Sequence, residues 1–214
     1  MGKNASCEPL ASPLTKVRAC GYRVCSGPAS VGLVPTQAEV TVLLSGGIDS
    51  ATVAALLLAT GHVVDALFVD YGQPAKAAEQ AASHAIARHY RLPWRATACE
   101  PAPSGSPLGR NDLLVAVAQR AVGGRSVAIG IHAGSAYSDC SPEWRTAWQA
   151  LLDLQHGGAV QLLGPLVQMN KPEVYALARD LAVPIALTYS CDAEAGPCAT
   201  CPSCSDRILG LVDV

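Results

Sequence analysis

The chemistry-bearing residues of this 214-residue chain fall into three groups. The first is Leu44-Ser45-Gly46-Gly47-Ile48-Asp49-Ser50. It follows an apolar run, Val40 to Leu44, and precedes Ala51 to Thr60, an almost wholly apolar stretch of helix formers that ends at Gly61. The order reads as buried parallel strand, tight glycine turn, helix. Gly46 and Gly47 open backbone angles closed to other residues and leave no side chain between main chain and ligand. The N–H groups and dipole of the next helix's first turn make an anion site, and the hydroxyls of Ser45 and Ser50 add donors suited to phosphate or pyrophosphate. The simpler alternative is a plain turn capped by Asp49 or Ser50.

The second group is Cys191-x6-Cys198-x2-Cys201-x2-Cys204, four of the chain's nine cysteines. In a chain read as cytoplasmic, clustered thiols argue for a metal rather than disulfides. Two-residue spacers let neighbouring cysteines chelate one ion, and four sulfur ligands suit a closed, structural zinc site. An iron–sulfur cluster uses the same ligands and stays open at this point. Gly196, Pro197 and Pro202 supply the turns of such a knuckle. The third group is polar and scattered along the chain: Tyr71 and Gln73, Arg110 and Asn111, Asp139, and Lys171.

Alternating elements must position these groups. Val63 to Val69 reads as a second strand ending in Asp70-Tyr71-Gly72-Gln73, at the sheet edge where open α/β sheets bind ligands. Ala75 to Tyr90 shows a helical face, Trp94 to Cys99 a third strand, and Pro101 to Pro107 a loop. Gly109 to Asp112 opens a helix with Leu113, Leu114, Val117, Ala118 and Ala121 inward. Ser126 to Ile131 is a fourth strand. Pro142 to Gln155 forms a helix with Trp144, Ala147, Trp148, Leu151 and Leu152 at helical spacing, and the tryptophan pair reads as core rather than as a stacking platform. Val160 to Val167 is a fifth strand broken by Gly164-Pro165, and Lys171 to Ala182 is a last amphipathic helix with Val174, Leu177, Ala178 and Leu181 inward. The fold class is α/β, a doubly wound parallel sheet with a four-cysteine tail.

Half the residues are apolar and few are aromatic, the composition of a soluble α/β protein. No apolar run approaches the roughly 20 residues that span a bilayer. The segment Met1 to Ser12 lacks the apolar core of a secretory signal. A net charge of -2 gives no ground for direct nucleic-acid binding and points to a small-molecule substrate. Residues 1–38 form an N-terminal extension, with a short hairpin in Lys16 to Cys25; Cys7, Cys20 and Cys25 leave a second metal site conceivable. Residues 39–189 make the α/β domain and 190–214 the cysteine tail.

Ser45, Gly46, Gly47, Asp49 and Ser50 resemble the SGGxDS signature of the ATP-pyrophosphatase, or PP-loop, superfamily, whose members adenylylate a carbonyl oxygen and release pyrophosphate. Together with the C-terminal knuckle, the chain resembles the QueC family, 7-cyano-7-deazaguanine synthase. Asp70 to Gln73 is similar to that family's DYGQ, Gly109 to Asn111 to its GRN, and Tyr137, Asp139 and Cys140 to its YPDC. Lys171 matches its late lysine, and Ser190-Cys191 with Cys198 to Arg207 its zinc tail. The likeness runs from about Val40 to Leu211.

The resemblance implies an adenine nucleotide alpha hydrolase-like, Rossmann-type fold. It implies a ligase that converts 7-carboxy-7-deazaguanine with ammonia and ATP to the nitrile. Catalytic roles fall on Ser45, Asp49 and Lys171, and nucleotide contacts on Leu44, Ser45, Gly46, Gly47, Asp49, Ser50, Tyr71 and Gln73. Arg110, Asn111 and Asp139 contact substrate; Arg110 and Asp139 are read as sitting at strand ends. Cys191, Cys198, Cys201 and Cys204 hold zinc, magnesium accompanies ATP, and the chain pairs as a cytoplasmic homodimer.

The pattern departs at Ala75 and Ala78, where the family carries histidine and glutamate, and at Ser141, where it carries arginine. Glu79 takes the glutamate's place only with a shifted register. These departures motivate two alternatives: an enzyme that stops at the amide or joins the deazapurine to a protein in a defence system, and an inactive zinc-bearing nucleotide-binding interaction protein.

Overall fold

The computed structural model describes residues 39–100, 109–133, 137–193 and 196–212. The expected extension over 1–38, with Cys7, Cys20, Cys25 and the hairpin, and the loop of 101–107 lie outside the described residues, apart from Cys99-Glu100 before that loop. Five parallel strands form one sheet: β1 (Glu39–Leu43), β2 (Val63–Asp70), β3 (Trp94–Ala98), β4 (Ser126–Ala128) and β5 (Leu162–Leu163). Their order is β3-β2-β1-β4-β5. The chain therefore winds outward from β1 in one direction, then restarts on its other side at β4. That reversal leaves a crevice beyond the carboxyl ends of β1 and β4.

The helices are α1 (Ile48–Ala59), α2 (Lys76–Tyr90), α3 (Arg110–Val122), α4 (Pro142–His156), α5 (Lys171–Asp180) and α6 (Pro202–Val212). Side chains alternate across the sheet, so each strand feeds two cores. Val40, Val42, Leu44, Val64 and Ala66 pack with α1 and α5; Leu43, Leu67, Val69 and Val127 pack with α3 and α4. α1 is buried nearly all round, from Ile48 to Leu57, because β1, β2 and α5 enclose it. The doubly wound parallel sheet is thus as the alternation of elements predicts.

Several details differ. α1 begins at Ile48 rather than Ala51, so Asp49 and Ser50 belong to its first turn. The inward row of α3 is Asn111, Val115, Ala118 and Val122, at steps of four, three and four, and Ala121 is exposed. Apolar residues outnumber the places on one helical stripe, and tertiary packing chose among them. α4 lies over the β5 edge and buries only Leu152 fully; Ala147 and Leu151 are exposed, and Trp144 and Trp148 are half-buried. β4 and β5 pair over three and two residues, because Gly130 and then Gly164-Pro165 turn the chain away. Among the described residues no helix is long and apolar enough to cross a membrane.

Candidate active site

The loop from β1 enters α1 at Gly47, and no side chain caps that helix start. Both capping candidates are engaged elsewhere. The Ser50 hydroxyl donates to the Gly47 carbonyl at 3.0 Å and lies 3.2 Å from the Ser45 hydroxyl. Asp49 accepts from the Lys171 ammonium through both carboxylate oxygens, each at 2.8 Å, across 122 residues of chain. The first-turn N–H groups are left for an anion. Ser45, Gly47, Ile48, Asp49 and Ser50 all line a cavity of about 680 Å³.

Close packing sets the loop. Gly46 has φ +90°, and a Cβ there would come within 2.5 Å of the Glu79 carbonyl and 2.9 Å of Ser83 N. Ser83 also donates from its hydroxyl to the Leu44 carbonyl at 2.6 Å, tying α2 to the end of β1. On the other side, a Cβ at Gly130 would meet Ser50 N at 2.8 Å. The turn after β4 therefore presses its bare backbone against the start of α1. A glycine within an apolar run, Ile129-Gly130-Ile131, is the sequence signal of this contact.

Asp70 sets the turn after β2. Its carboxylate accepts from Gly72 N at 2.9 Å and Lys76 Nζ at 3.1 Å, and these bonds hold its carboxyl below the usual carboxylate range. Tyr71 and Gln73 thereby reach the cavity wall. Burial pushes the Tyr71 phenol up, with Arg110 opposing. Arg110 and Asn111 line the cavity from the start of α3. Asn111 is 3% exposed, and its N–H and side-chain amide bond to the Asp139 carboxylate and carbonyl at 3.0 and 2.8 Å. Asp139 is 5% exposed and its carboxylate is turned to this clamp. Neither Arg110 nor Asp139 sits on a strand end: the first opens a helix and the second lies in a 3₁₀ turn, Ser138–Cys140. β3 ends at Ala98 and β4 at Ala128, so both residues lie well beyond the last paired residue of the strand before them.

Lys171 follows an Asn170 N-cap. Asn170 Oδ1 accepts from Glu173 N at 3.0 Å, and Glu173 Oε2 accepts from Asn170 N at 2.9 Å, a reciprocal capping box. One turn on, Tyr175 lines the same cavity; burial pushes its phenol up to about 12. Its spacing from Lys171 was a legible sign of a shared face.

The cysteine tail returns to the loop: Tyr189 N donates to the Gly46 carbonyl at 2.9 Å. The Sγ atoms of Cys191, Cys198, Cys201 and Cys204 all lie within 4.8 Å of one another. Backbone N–H groups aim at these sulfurs, from Ala193 and Cys198 to Cys191, from Cys201 to Cys198, and from Cys204 to Cys201, at 3.3 to 3.4 Å. Such bonds favour thiolate. The Thr200 and Cys201 donors pull Cys198 down to about 6, while burial pushes Cys204 up to about 12. Tyr189, Ser190, Cys191 and Asp192 also line the cavity, as does Glu79 from α2. The cluster can bind a metal and at the same time forms a wall of the site.

A parallel sheet of order β3-β2-β1-β4-β5, with an SGGxDS loop opening a helix at its point of reversal, defines an α/β protein of the PP-loop class. The comparisons with known proteins go further. The family described as Queuosine biosynthesis protein QueC matches residues 39–101 and 106–214, and the chain belongs to that family. A 7-cyano-7-deazaguanine synthase of Gloeothece citriformis is 35% identical, over 83% of this chain and 92% of the relative. The enzyme of the same name from Synechococcus sp. strain RCC307 is 36% identical, over 79% and 92%. Among solved structures, the U34-tRNA thiolase NcsA from Methanococcus maripaludis with its [4Fe-4S] cluster has a TM-score of 0.53 at 16% identity, covering 94% of this chain and 71% of that one. That likeness concerns the fold.

Proposed function

We propose that the chain is an ATP-dependent ligase that adenylylates 7-carboxy-7-deazaguanine and, with ammonia, converts it to 7-cyano-7-deazaguanine. The observation that carries this reading is the uncapped loop helix beside the Asp49–Lys171 pair, at one end of a ligand-sized cavity, in a chain of the QueC family. A carboxylate is a poor electrophile because its oxygen leaves badly. Attack of that oxygen on the α-phosphorus of ATP, with cleavage of the bond to pyrophosphate, gives an acyl adenylate. Ammonia then adds to the acyl carbon and AMP departs, leaving the amide. A second adenylylation, on the amide oxygen, lets AMP leave with loss of the nitrogen's protons, and the nitrile remains.

On this reading the N–H groups of the first turn of α1, with Ser45 and Ser50, hold the pyrophosphate as charge builds on it. Lys171, paired with Asp49, is the cation that would face the phosphates, and Asp49 is the carboxylate that would hold a magnesium ion accompanying ATP. Magnesium supplies charge neutralisation at the phosphates. Leu44 and Gly46 shape the backbone cradle, Tyr71 and Gln73 border the nucleotide, and Arg110 contacts the substrate. Asn111 and Asp139 act on substrate through the position they give Arg110, since their polar groups are turned to each other.

Zinc fits the four sulfurs. A tetrahedral ion with metal–sulfur bonds of about 2.3 Å sets its ligands about 3.8 Å apart. Sulfurs already within 4.8 Å need little closure. Thiolates of a four-iron cluster each bind a different iron and stand further apart than ligands sharing one ion. A zinc ion held by all four cysteines would have no open ligand position, and its role would be structural.

The test is incubation of the protein with ATP, ammonia and the carboxylate, followed by mass spectrometry. Nitrile with AMP and pyrophosphate supports the reading. Product that stays at the amide, or a protein-linked deazapurine, transfers it to another acceptor chemistry. No ATP–pyrophosphate exchange leaves a binding protein.

A further inference from the structure

Glu79 stands in the first turn of α2 and lines the same cavity as Ser45 and Lys171. Its N–H donates to the Ala75 carbonyl at 2.9 Å, so residues 75 and 79 share one helical face. Ala75 is 3% exposed and apolar, and the Ser83 hydroxyl is spent on the Leu44 carbonyl, which leaves Glu79 as the polar group of that face that borders the cavity. The helix cannot slide, because the Glu79 carbonyl lies against Gly46.

The carboxylate is also held. Gln73 is 8% exposed and its amide is used at both ends. Its oxygen accepts from Tyr71 N at 3.0 Å, and its nitrogen donates to the Val69 carbonyl at 3.3 Å and to Glu79 Oε2 at 2.9 Å. Gln73 cannot turn without losing all three bonds. A carboxylate has about four acceptor sites, and among the described residues one of Glu79's is taken. The rest border the cavity. Burial pushes the carboxyl up, and Asp192 adds to that while Gln73 and Arg110 oppose it. A half-desolvated anion with spare acceptors gains most from a ligand that brings N–H donors.

Resting on the reading of the substrate as a deazaguanine, we propose that Glu79 is its specificity-determining residue. The carboxylate accepts the paired N–H groups of the ring's pyrimidinone nitrogen and exocyclic amine. These two donors point the same way and match a carboxylate fork as a guanidinium does.

The experiment compares 7-carboxy-7-deazaguanine with the analogue lacking its 2-amino group, in the wild-type chain and in Glu79→Gln, by AMP release. The wild-type chain is expected to prefer the 2-amino substrate strongly. In Glu79→Gln the KM for that substrate should rise on the order of 100-fold, since an amide N–H then faces a donor. The ratio between the two substrates should fall toward unity while the KM for ATP and the melting temperature hold. A ratio in the variant equal to the wild-type ratio overturns the proposal, as does a wild-type chain that treats both substrates alike, a result that needs no variant. AMP release from neither substrate overturns the parent reading and this inference with it.

Discussion

Ser45 and Asp49 differ in what holds them, and their substitutions should differ accordingly. Ser45 is exposed, and among the described residues its hydroxyl meets Ser50 and Gly47 N alone. Ser45→Ala should lower the rate of AMP formation about 100-fold or more with no shift in melting temperature, as for loss of one donor to a developing anion. Asp49→Ala should abolish AMP formation and also leave Lys171 without its partner, a cost of up to about 1 kcal/mol for a part-exposed pair. Kinetics of AMP release beside thermal melts check both. Gly46 carries a different burden. With φ +90° and the Glu79 carbonyl 2.5 Å from any added Cβ, Gly46→Ala should destabilise by about 2 kcal/mol or more, read by denaturant melts. Backbone there must move before a methyl fits.

At the scale of elements, several helix starts converge on the cavity, and three of them are set by different means. α1 is left uncapped and open to an anion, α3 starts after Gly109 at φ +76°, and α5 is closed by a capping box. The cap of α5 sits next to Lys171, so its loss should be felt in the chemistry. Asn170→Ala should cost about 1 kcal/mol of stability and raise the KM for ATP several-fold, measured by melts and by initial rates. Behind α3, Asp112 Oδ1 accepts from the indole N–H groups of Trp144 and Trp148 at 2.8 and 2.6 Å. The two tryptophans thus pack half-buried against the core with their indole N–H groups turned to one carboxylate. They fasten α4 to the first turn of α3, two residues from Arg110.

At the scale of the whole molecule, the four-cysteine tail closes the site instead of hanging from it. Tyr189 bonds to the loop at Gly46, Arg207 bonds to the Thr188 hydroxyl and the Ile185 carbonyl, and Arg179 of α5 bonds to the Gly210 carbonyl of α6. Cys201→Ser, or removal of metal with a chelator, should therefore lower the melting temperature by several degrees and reduce ATP-dependent turnover together. Elemental analysis alongside melts and AMP release checks it. A protein that melts alike with and without chelator would speak against a structural metal. The alternation of apolar runs with polar turns determined by itself the parallel doubly wound sheet. The string Ser45 to Ser50 and the cysteine spacing marked a glycine turn into a helix and a cluster of four thiols, because each is local: a backbone turn and closely spaced thiols need only near neighbours. Contacts across the chain were a matter for the tertiary structure. Lys171 meets Asp49, Gly130 backs Ser50, and Glu79 rather than residue 78 enters the cavity, because helix register and sheet order decide which distant groups share one wall. The same holds for the inward faces of α3 and α4, where Ala118 and Leu152 are buried and Leu114, Val117, Trp144 and Trp148 pack against the core, while Ala121, Ala147 and Leu151 are exposed. A sequence rich in alanine and leucine offers several apolar stripes, and only packing against β4, β5 and each other selects one.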